Sequence, residues 1–242
     1  MTTTLKVIKN PKLMAAGLML SAFIGLFGET ALNMALTNIM ADFSVSTGTV
    51  QWLTTGYLLV LGILVPVSAL LLQWFTTRQL AVAALLFSIV GTVICAVAPN
   101  FTFLMLGRIA QATGTGILIP LLMNVILVIF PIEKRGSVMG IMGLVITLAP
   151  AIGPTLSGII VDALSWHYIF WISLIFYIIL FIVWVPTIQN VSDITKPKID
   201  VLSIIYSTIG FGTLIYGLGT LAGTAITDPA VFIPLIIGAV AL

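Results

Sequence analysis

Apolar runs alternate with short polar gaps along the whole chain. Charge-free stretches occupy 13–28, 43–77, 79–107, 109–132, 136–161, 163–192, 201–227 and 229–242. Several hold the ~20 residues that a helix, rising ~1.5 Å per residue, needs to cross ~30 Å of hydrocarbon. The pattern predicts helices at about 13–40, 50–73, 79–98, 102–130, 137–161, 168–187, 201–221 and 230–242. An all-α membrane protein is expected, its eighth helix cut short where the sequence stops at Leu242. The first run, broken only by Glu29, extends to about Met40. That is too long for the apolar core of a cleavable signal peptide, and no small-residue cleavage site closes it, so this segment is expected to stay as a span.

The polar gaps are of two kinds. Lys6, Lys9 and Lys12 precede the first run, Arg78 follows the second, Lys134 and Arg135 follow the fourth, and Lys196 and Lys198 follow the sixth. The alternate gaps, around Asp42–Thr49, Pro99–Asn100, Asp162–His167 and Thr224–Asp228, hold acids and neutral residues only. Lys and Arg accumulate in cytoplasmic loops, so the amino terminus and the even-numbered connections are predicted to be cytoplasmic and the protein to sit in the cytoplasmic membrane. Trp favours the boundary between lipid and water. Trp52 and Trp74, about 22 residues or ~33 Å of helix apart, fit the two faces of the second span. Trp166, Tyr168 and Trp171 are expected at the outer end of the sixth span, and Trp184 at its inner end.

Composition narrows the function classes. With 60% hydrophobic and only 7% charged residues, the chain lies far from soluble domains, in which about a quarter of residues are charged. The net charge of +2 sits singly or in small groups at helix ends, so it reads as topology and not as a nucleic-acid patch. One cysteine, Cys95, excludes an internal disulfide and a cysteine metal cluster, and is read as a small packing residue.

Two ionisable residues lie inside apolar runs, Glu29 in the first helix and Arg108 in the fourth. Burying either is costly, and such residues usually face a protein interior or a watery path. Counted from the predicted outer helix ends, Glu29 lies about 10–15 Å deep and Arg108 about 9 Å deep, so a pair is geometrically permitted. The plainer alternative is that each merely ties two helices together or snorkels to the interface. Asn33 follows Glu29 by one turn and Gln111 follows Arg108 by three residues, giving each helix a polar stripe that could touch substrate or only a neighbouring helix. In the fifth helix, Ala149, Gly153 and Ser157 recur every four residues, a smooth face for close helix packing, and Pro150 and Pro154 remove backbone donors from the same stretch.

These segments resemble the major facilitator superfamily, and within it the fourteen-span drug:proton antiporters of the EmrB/QacA type, over essentially the whole chain. Arg108-Ile-Ala-Gln111-Ala-Thr-Gly114 matches the family's R-x-x-Q-x-x-G signature, whose arginine is associated with proton coupling. Ala149-Pro150-Ala-Ile-Gly153-Pro154-Thr-Leu-Ser157-Gly158 resembles the antiporter signature G-x-x-x-G-P-x-x-G-G, with Ala149 and Ser157 replacing glycines. Glu29-Thr-Ala-Leu-Asn33-Met-Ala-Leu36 is similar to the first-helix motif in which an acid precedes N-x-A-L-P, with the acid one residue nearer and Thr37 in place of proline. Gln73-Trp-Phe-Thr-Thr-Arg78 stands where the family has G-x-L-A-D-R-x-G-R-K. The aspartate of that loop is absent, so only Arg78 carries over.

The resemblance implies a helical bundle of the major-facilitator type: a six-helix amino-terminal half at 1–188, a short cytoplasmic connection at 189–200 and two extra central helices at 201–242, with a carboxy-terminal helical half missing. It implies two inverted three-helix repeats, although Leu13–Ala98 and Phe101–Pro186 show no convincing self-similarity. The implied function is proton-coupled efflux of lipophilic drugs. Glu29 and Arg108 would couple protons, Asn33 and Gln111 would line the cavity, and Gly153 and Pro154 would act at a packing hinge. No cofactor is expected beyond the proton gradient, nor any metal or nucleic acid; the partners are substrate, protons, lipid and the missing half. Transport of a single metabolite or nutrient is the alternative. An intramembrane enzyme is disfavoured: Ser157-Gly158 lacks a G-x-S-G frame, and His167 falls in an outer connection beside Trp166, where it reads as an interfacial ring. For a non-transporting scaffold or receptor, the buried charges would be an unexplained cost.

Overall fold

The computed structural model describes residues 10–191, 194–196, 201–221 and 228–241. Eight α-helices occur among them, one in each expected run: α1 Pro11–Phe43, α2 Thr47–Trp74, α3 Thr77–Ala96, α4 Phe101–Ile129, α5 Ile132–Ala163, α6 His167–Ile179, α7 Val201–Leu221 and α8 Pro229–Ala241. Local chemistry sets their ends. Pro11 opens α1, where its missing N–H costs nothing. Ser46 and Asn100 cap α2 and α4 by accepting the Thr49 and Phe103 N–H groups. Thr76 and Gln79 form a reciprocal capping box at the start of α3. α1 stops at Ser44, whose left-handed φ of 53° turns the chain out of the helix.

Two boundaries differ from expectation. α5 begins at Ile132 instead of 137, so Lys134 and Arg135 lie in its first turns and not in a loop. α6 widens into a π-helical turn at Leu180–Trp184 and ends in a 3₁₀ turn at Val185–Thr187. Pro186 supplies the reason: it has no N–H to return to the Ile182 carbonyl, so the regular ladder stops there, while Val185 before it stays helical at φ −54° and ψ −39°.

Small residues set the closest packing. α3 and α4 meet through Gly91, Gly107 and Gly114: a Cβ on Gly91 would lie 2.6 Å from both the Gln111 nitrogen and the Gly107 oxygen. α5 lies along α1 through its stripe of Ala149, Gly153 and Ser157, all buried. A Cβ on Gly153 would strike the Thr30 hydroxyl. The core forms two apolar clusters, one around Met14, Leu18, Leu85, Leu118 and Trp184, the other around Leu32, Leu53, Leu104, Trp166 and Phe170. The outward faces of α3 and α6 stay apolar, as at Leu86, Val90, Ile175 and Ile182. Among the described residues, seven helices are long and apolar enough to cross a membrane, α6 only together with its π and 3₁₀ turns to Thr187, and α8 is shorter. With that outward surface, they make the chain a multi-pass integral membrane protein.

The tryptophans correct one expectation. Trp166 and Trp184 are each only 2% exposed, so neither marks a lipid boundary. Trp166 donates from Nε1 to Asp42 Oδ2 at 2.7 Å and packs edge-on against Phe43 and Phe170, joining the end of α1 to the start of α6. His167, read as interfacial, stacks on Trp166 with ring centroids 3.6 Å apart. Trp184 fills the space above Gly17, where no Cβ would fit. Trp52 is 39% exposed on α2 and touches the ring of Tyr216 on α7. Cys95 is buried between α3 and α4, as a packing residue should be.

The α3–α4 seam yields a test. Gly91→Ala should lower the apparent melting temperature of the purified protein, because overpacking against backbone costs about 1–3 kcal/mol. Gly136→Ala, with open space around it, should be neutral or gain up to about 1 kcal/mol from helix propensity. Equal melting temperatures for the two variants would show that the seam is not close-packed.

Candidate functional site

The polar stripe of α4 carries Arg108, Gln111 and Thr115, spaced to share one helical face that turns into the bundle. Arg108 is 1% exposed. Its Nη1 donates to the Gly28 carbonyl of α1 at 3.3 Å and to Gln111 Oε1 at 3.1 Å, and its Nε donates to the Leu53 carbonyl of α2 at 3.5 Å. The guanidinium carbon lies 4.2 Å from the centre of the Tyr57 ring, so a cation–π contact shares the charge. One fixed fork thus ties α1, α2 and α4 together. Among the described residues no carboxylate is one of its hydrogen-bond partners, and Nη2 has no acceptor.

Hydrogen bonds continue on both sides. Gln111 Nε2 donates to Thr92 Oγ1 on α3 at 2.9 Å, and Thr92 donates to the Ser88 carbonyl at 2.6 Å. The Tyr57 hydroxyl lies 2.8 Å from Thr115 Oγ1 and 3.3 Å from the Gly25 carbonyl, while Thr115 donates to the Gln111 carbonyl. The free space bordered by Gly25, Gly28, Tyr57, Arg108, Ser173 and Tyr177 is only ≈ 10 Å³, far below the several hundred Å³ of a drug-sized pocket.

Glu29 follows Gly28, whose carbonyl Arg108 holds, yet its side chain is half-buried and makes no hydrogen bond to the guanidinium. Asn33, one turn on, is exposed and accepts from Thr54 Oγ1 of α2 at 3.0 Å. The expected cavity pair is therefore divided. Asn33 stands on an open surface, whereas Gln111 is 8% exposed and its amide is engaged by Arg108 and Thr92.

The α5 signature abuts α1 beside Glu29, since Gly153 lies under Thr30 and Ala31. Ser157 is buried and donates to the Pro154 carbonyl. Pro150 is exposed, Pro154 is half-buried, and a Cβ on Gly158 would meet open space, so these three lie off the contact stripe. Arg78 sits in the first turn of α3, far along the chain from Arg108, where its backbone N–H is bonded to Asn190 Oδ1. Among the described residues no cluster of three or more His, Cys, Asp or Glu could hold a metal.

Residues 18–242 match the model of the Major Facilitator Superfamily. The chain belongs to that superfamily. Family membership places it among transporters and not enzymes. It is 57% identical over 245 residues to the lincomycin resistance protein LmrB of Bacillus subtilis (strain 168), an alignment covering 99% of this chain and 51% of that protein. The LmrB of Listeria monocytogenes is 55% identical over 227 residues, covering 94% of this chain and 48% of its own. The chain thus spans about half the length of these relatives. Among solved structures, a peptide transporter POT in complex with sulfate superposes with a TM-score of 0.68 at 15% identity, over 93% of this chain and 50% of that one. At that identity the likeness shows the fold alone.

The Arg108 geometry makes lysine a poor substitute. An ammonium is a point charge on a flexible stem and cannot span the Gly28, Leu53 and Gln111 acceptors at once. Arg108→Lys should destabilise the purified protein by about 1.5–3 kcal/mol, the range for a lost hydrogen bond to a charged group, read as a lower apparent melting temperature. Unchanged melting would mean that charge alone suffices.

Proposed function

We propose that this chain forms the amino-terminal part of a proton-coupled exporter of lipophilic toxic compounds in the cytoplasmic membrane, of the fourteen-span type, with its amino terminus in the cytoplasm. The observation that carries the reading is the half-buried Glu29 standing next to the carbonyl that the buried Arg108 grips. A carboxylate there can take up and release a proton without breaking any bond to the arginine. Protonation alters the charge beside Arg108 and so shifts the balance between the outward- and inward-facing states. A proton and a drug are coupled only if each prefers a different one of those states.

In this reading Arg108 and Gln111 hold α1, α2, α3 and α4 in register and do not touch the drug. Asn33 and Thr54, on the open side of α1 and α2, are the residues placed to meet it. The Ala149, Gly153 and Ser157 stripe lets α5 lie close to α1 beside Glu29, and Pro154 on the adjoining flank would flex with it. α7 and α8 are the extra central pair, and an opposing helical half completes the cavity wall. The relatives named for lincomycin resistance support export of a drug. An anionic nutrient fits less well, because Arg108 is enclosed and its other acceptors are neutral.

The test uses inside-out vesicles from cells making the full-length protein. A proton gradient should drive export of a lipophilic dye, and Glu29→Gln should abolish the gradient dependence and reduce drug resistance at least about tenfold. Arg108→Ala should lose export as well. Resistance that survives both substitutions rules out the coupling scheme, and growth rescue on one nutrient would point to uptake instead.

A further inference from the structure

At the basic end of the bundle, the chain that follows α6 is bonded to the turn between α2 and α3. Asn190 Oδ1 accepts from the Arg78 backbone N–H at 3.0 Å, and the Val191 N–H donates to Thr77 Oγ1 at 3.4 Å. Shortly afterwards the Thr195 and Lys196 N–H groups both donate to the Gln73 carbonyl, at 3.1 and 3.3 Å.

These bonds fall on groups that the two helices leave open. The first N–H groups of a helix and its last carbonyls have no partner within it. At the start of α3, the Thr76 side chain takes the Gln79 N–H and Gln79 returns to the Thr76 N–H, which leaves the Arg78 N–H to Asn190. At the end of α2, Gln73 is the penultimate residue, and its carbonyl is taken by Thr195 and Lys196. Lys196 holds a positive φ of 41°, a conformation that a side chain other than glycine adopts rarely and that persists where its surroundings enforce it. The same short segment thus caps one helix at its end and the next at its beginning.

The next described element is α7, which lies against α2 with Ile215 against Gly62, Ile63 beneath Gly212 and the Tyr216 ring 5.7 Å from that of Trp52. α8 packs on α7 through Gly217 and Gly238. Only four residues separate Lys196 from Val201, so the tie of Lys196 to Gln73 limits how far from the α2–α3 turn α7 can begin.

We infer that Asn190 and Val191, together with Thr195 and Lys196, strap the chain after α6 across the α2–α3 turn, with Asn190 as the positioning residue that fixes the strap and thereby keeps the α7–α8 hairpin seated on α2. The hairpin and the six preceding helices then move as one body. The bond needs an acceptor at position 190: aspartate supplies one and is favoured at a helix N-terminus, whereas leucine supplies none. The inference is independent of what the protein carries.

The experiment contains no transport step, so it fails or succeeds separately from the export reading. In the purified full-length protein in detergent, with other accessible cysteines replaced and Cys95 buried, spin labels at Arg78→Cys and Thr195→Cys, both exposed positions, report the distance across the strap; both substitutions keep the backbone donors. Asn190→Leu should broaden that distance distribution at least about twofold, and Asn190→Asp should keep the parent distribution. Equal distributions in all three backgrounds, or one in Asn190→Asp as broad as in Asn190→Leu, would overturn the inference. Should Asn190→Leu fail to fold, spin labels at Arg78→Cys and Thr195→Cys in the parent background decide it: one narrow, short distance is expected, and a broad distribution refutes the strap.

Discussion

A guanidinium buried without a carboxylate is the constraint around which the bundle is organised. A charge removed from water must be met by good geometry or the protein loses several kcal/mol. Arg108 meets it with backbone carbonyls from α1 and α2, an amide oxygen from its own helix and the face of Tyr57. Those acceptors are useful only if α1, α2 and α4 hold one spacing. The glycines at the α3–α4 seam and the small stripe of α5 against α1 provide that spacing, so the packing and the polar network depend on each other. Nη2 finds no protein acceptor among the described residues, so the network specifies the helix spacing yet leaves part of its desolvation cost unmet.

The arrangement separates two roles that a pair of intramembrane charges could have shared. Arg108 is enclosed, and its bonds are to neutral groups. Glu29 is half-buried on the adjoining residue and free of the fork. Its charge can change without dismantling the contacts among α1, α2 and α4. The same physics explains why the chain tolerates prolines within α2, α4 and α5, since neighbouring helices and side-chain hydroxyls can take up carbonyls that a proline leaves open.

The helices were legible because hydrocarbon excludes charge, so long apolar stretches mark them even where a lone charge interrupts one, as Glu29 does in α1 and Arg108 in α4. Their ends were less so. Lys134 and Arg135 looked like loop residues because charge marks a membrane boundary, yet a helix can continue past such a boundary, and α5 includes both residues. The π turn of α6 follows from Pro186, whose effect on the preceding turn depends on packing that the sequence does not display. Lone charges in apolar runs singled out Glu29 and Arg108. The partners of Arg108 were hidden because two are backbone carbonyls, which carry no residue signature. Tyr57 and Thr115 were missed as well, although a tyrosine in the middle of a span needs a partner for its hydroxyl and Thr115 follows Gln111 by one turn. Trp166 and Trp184 were misplaced because an indole suits a lipid boundary and a buried site equally well: Trp166 finds Asp42 as acceptor, and Trp184 fills the gap over Gly17 with its N–H unpaired among the described residues.

The central claim is that Arg108 is held by neutral groups and not by Glu29. Thermal unfolding of purified full-length Glu29→Gln tests it most directly. The predicted result is an apparent melting temperature that matches the parent's, to within the shift expected of about 0.5 kcal/mol. A fall equivalent to about 3–5 kcal/mol, the cost of stripping one partner from a buried ion pair, would contradict the account.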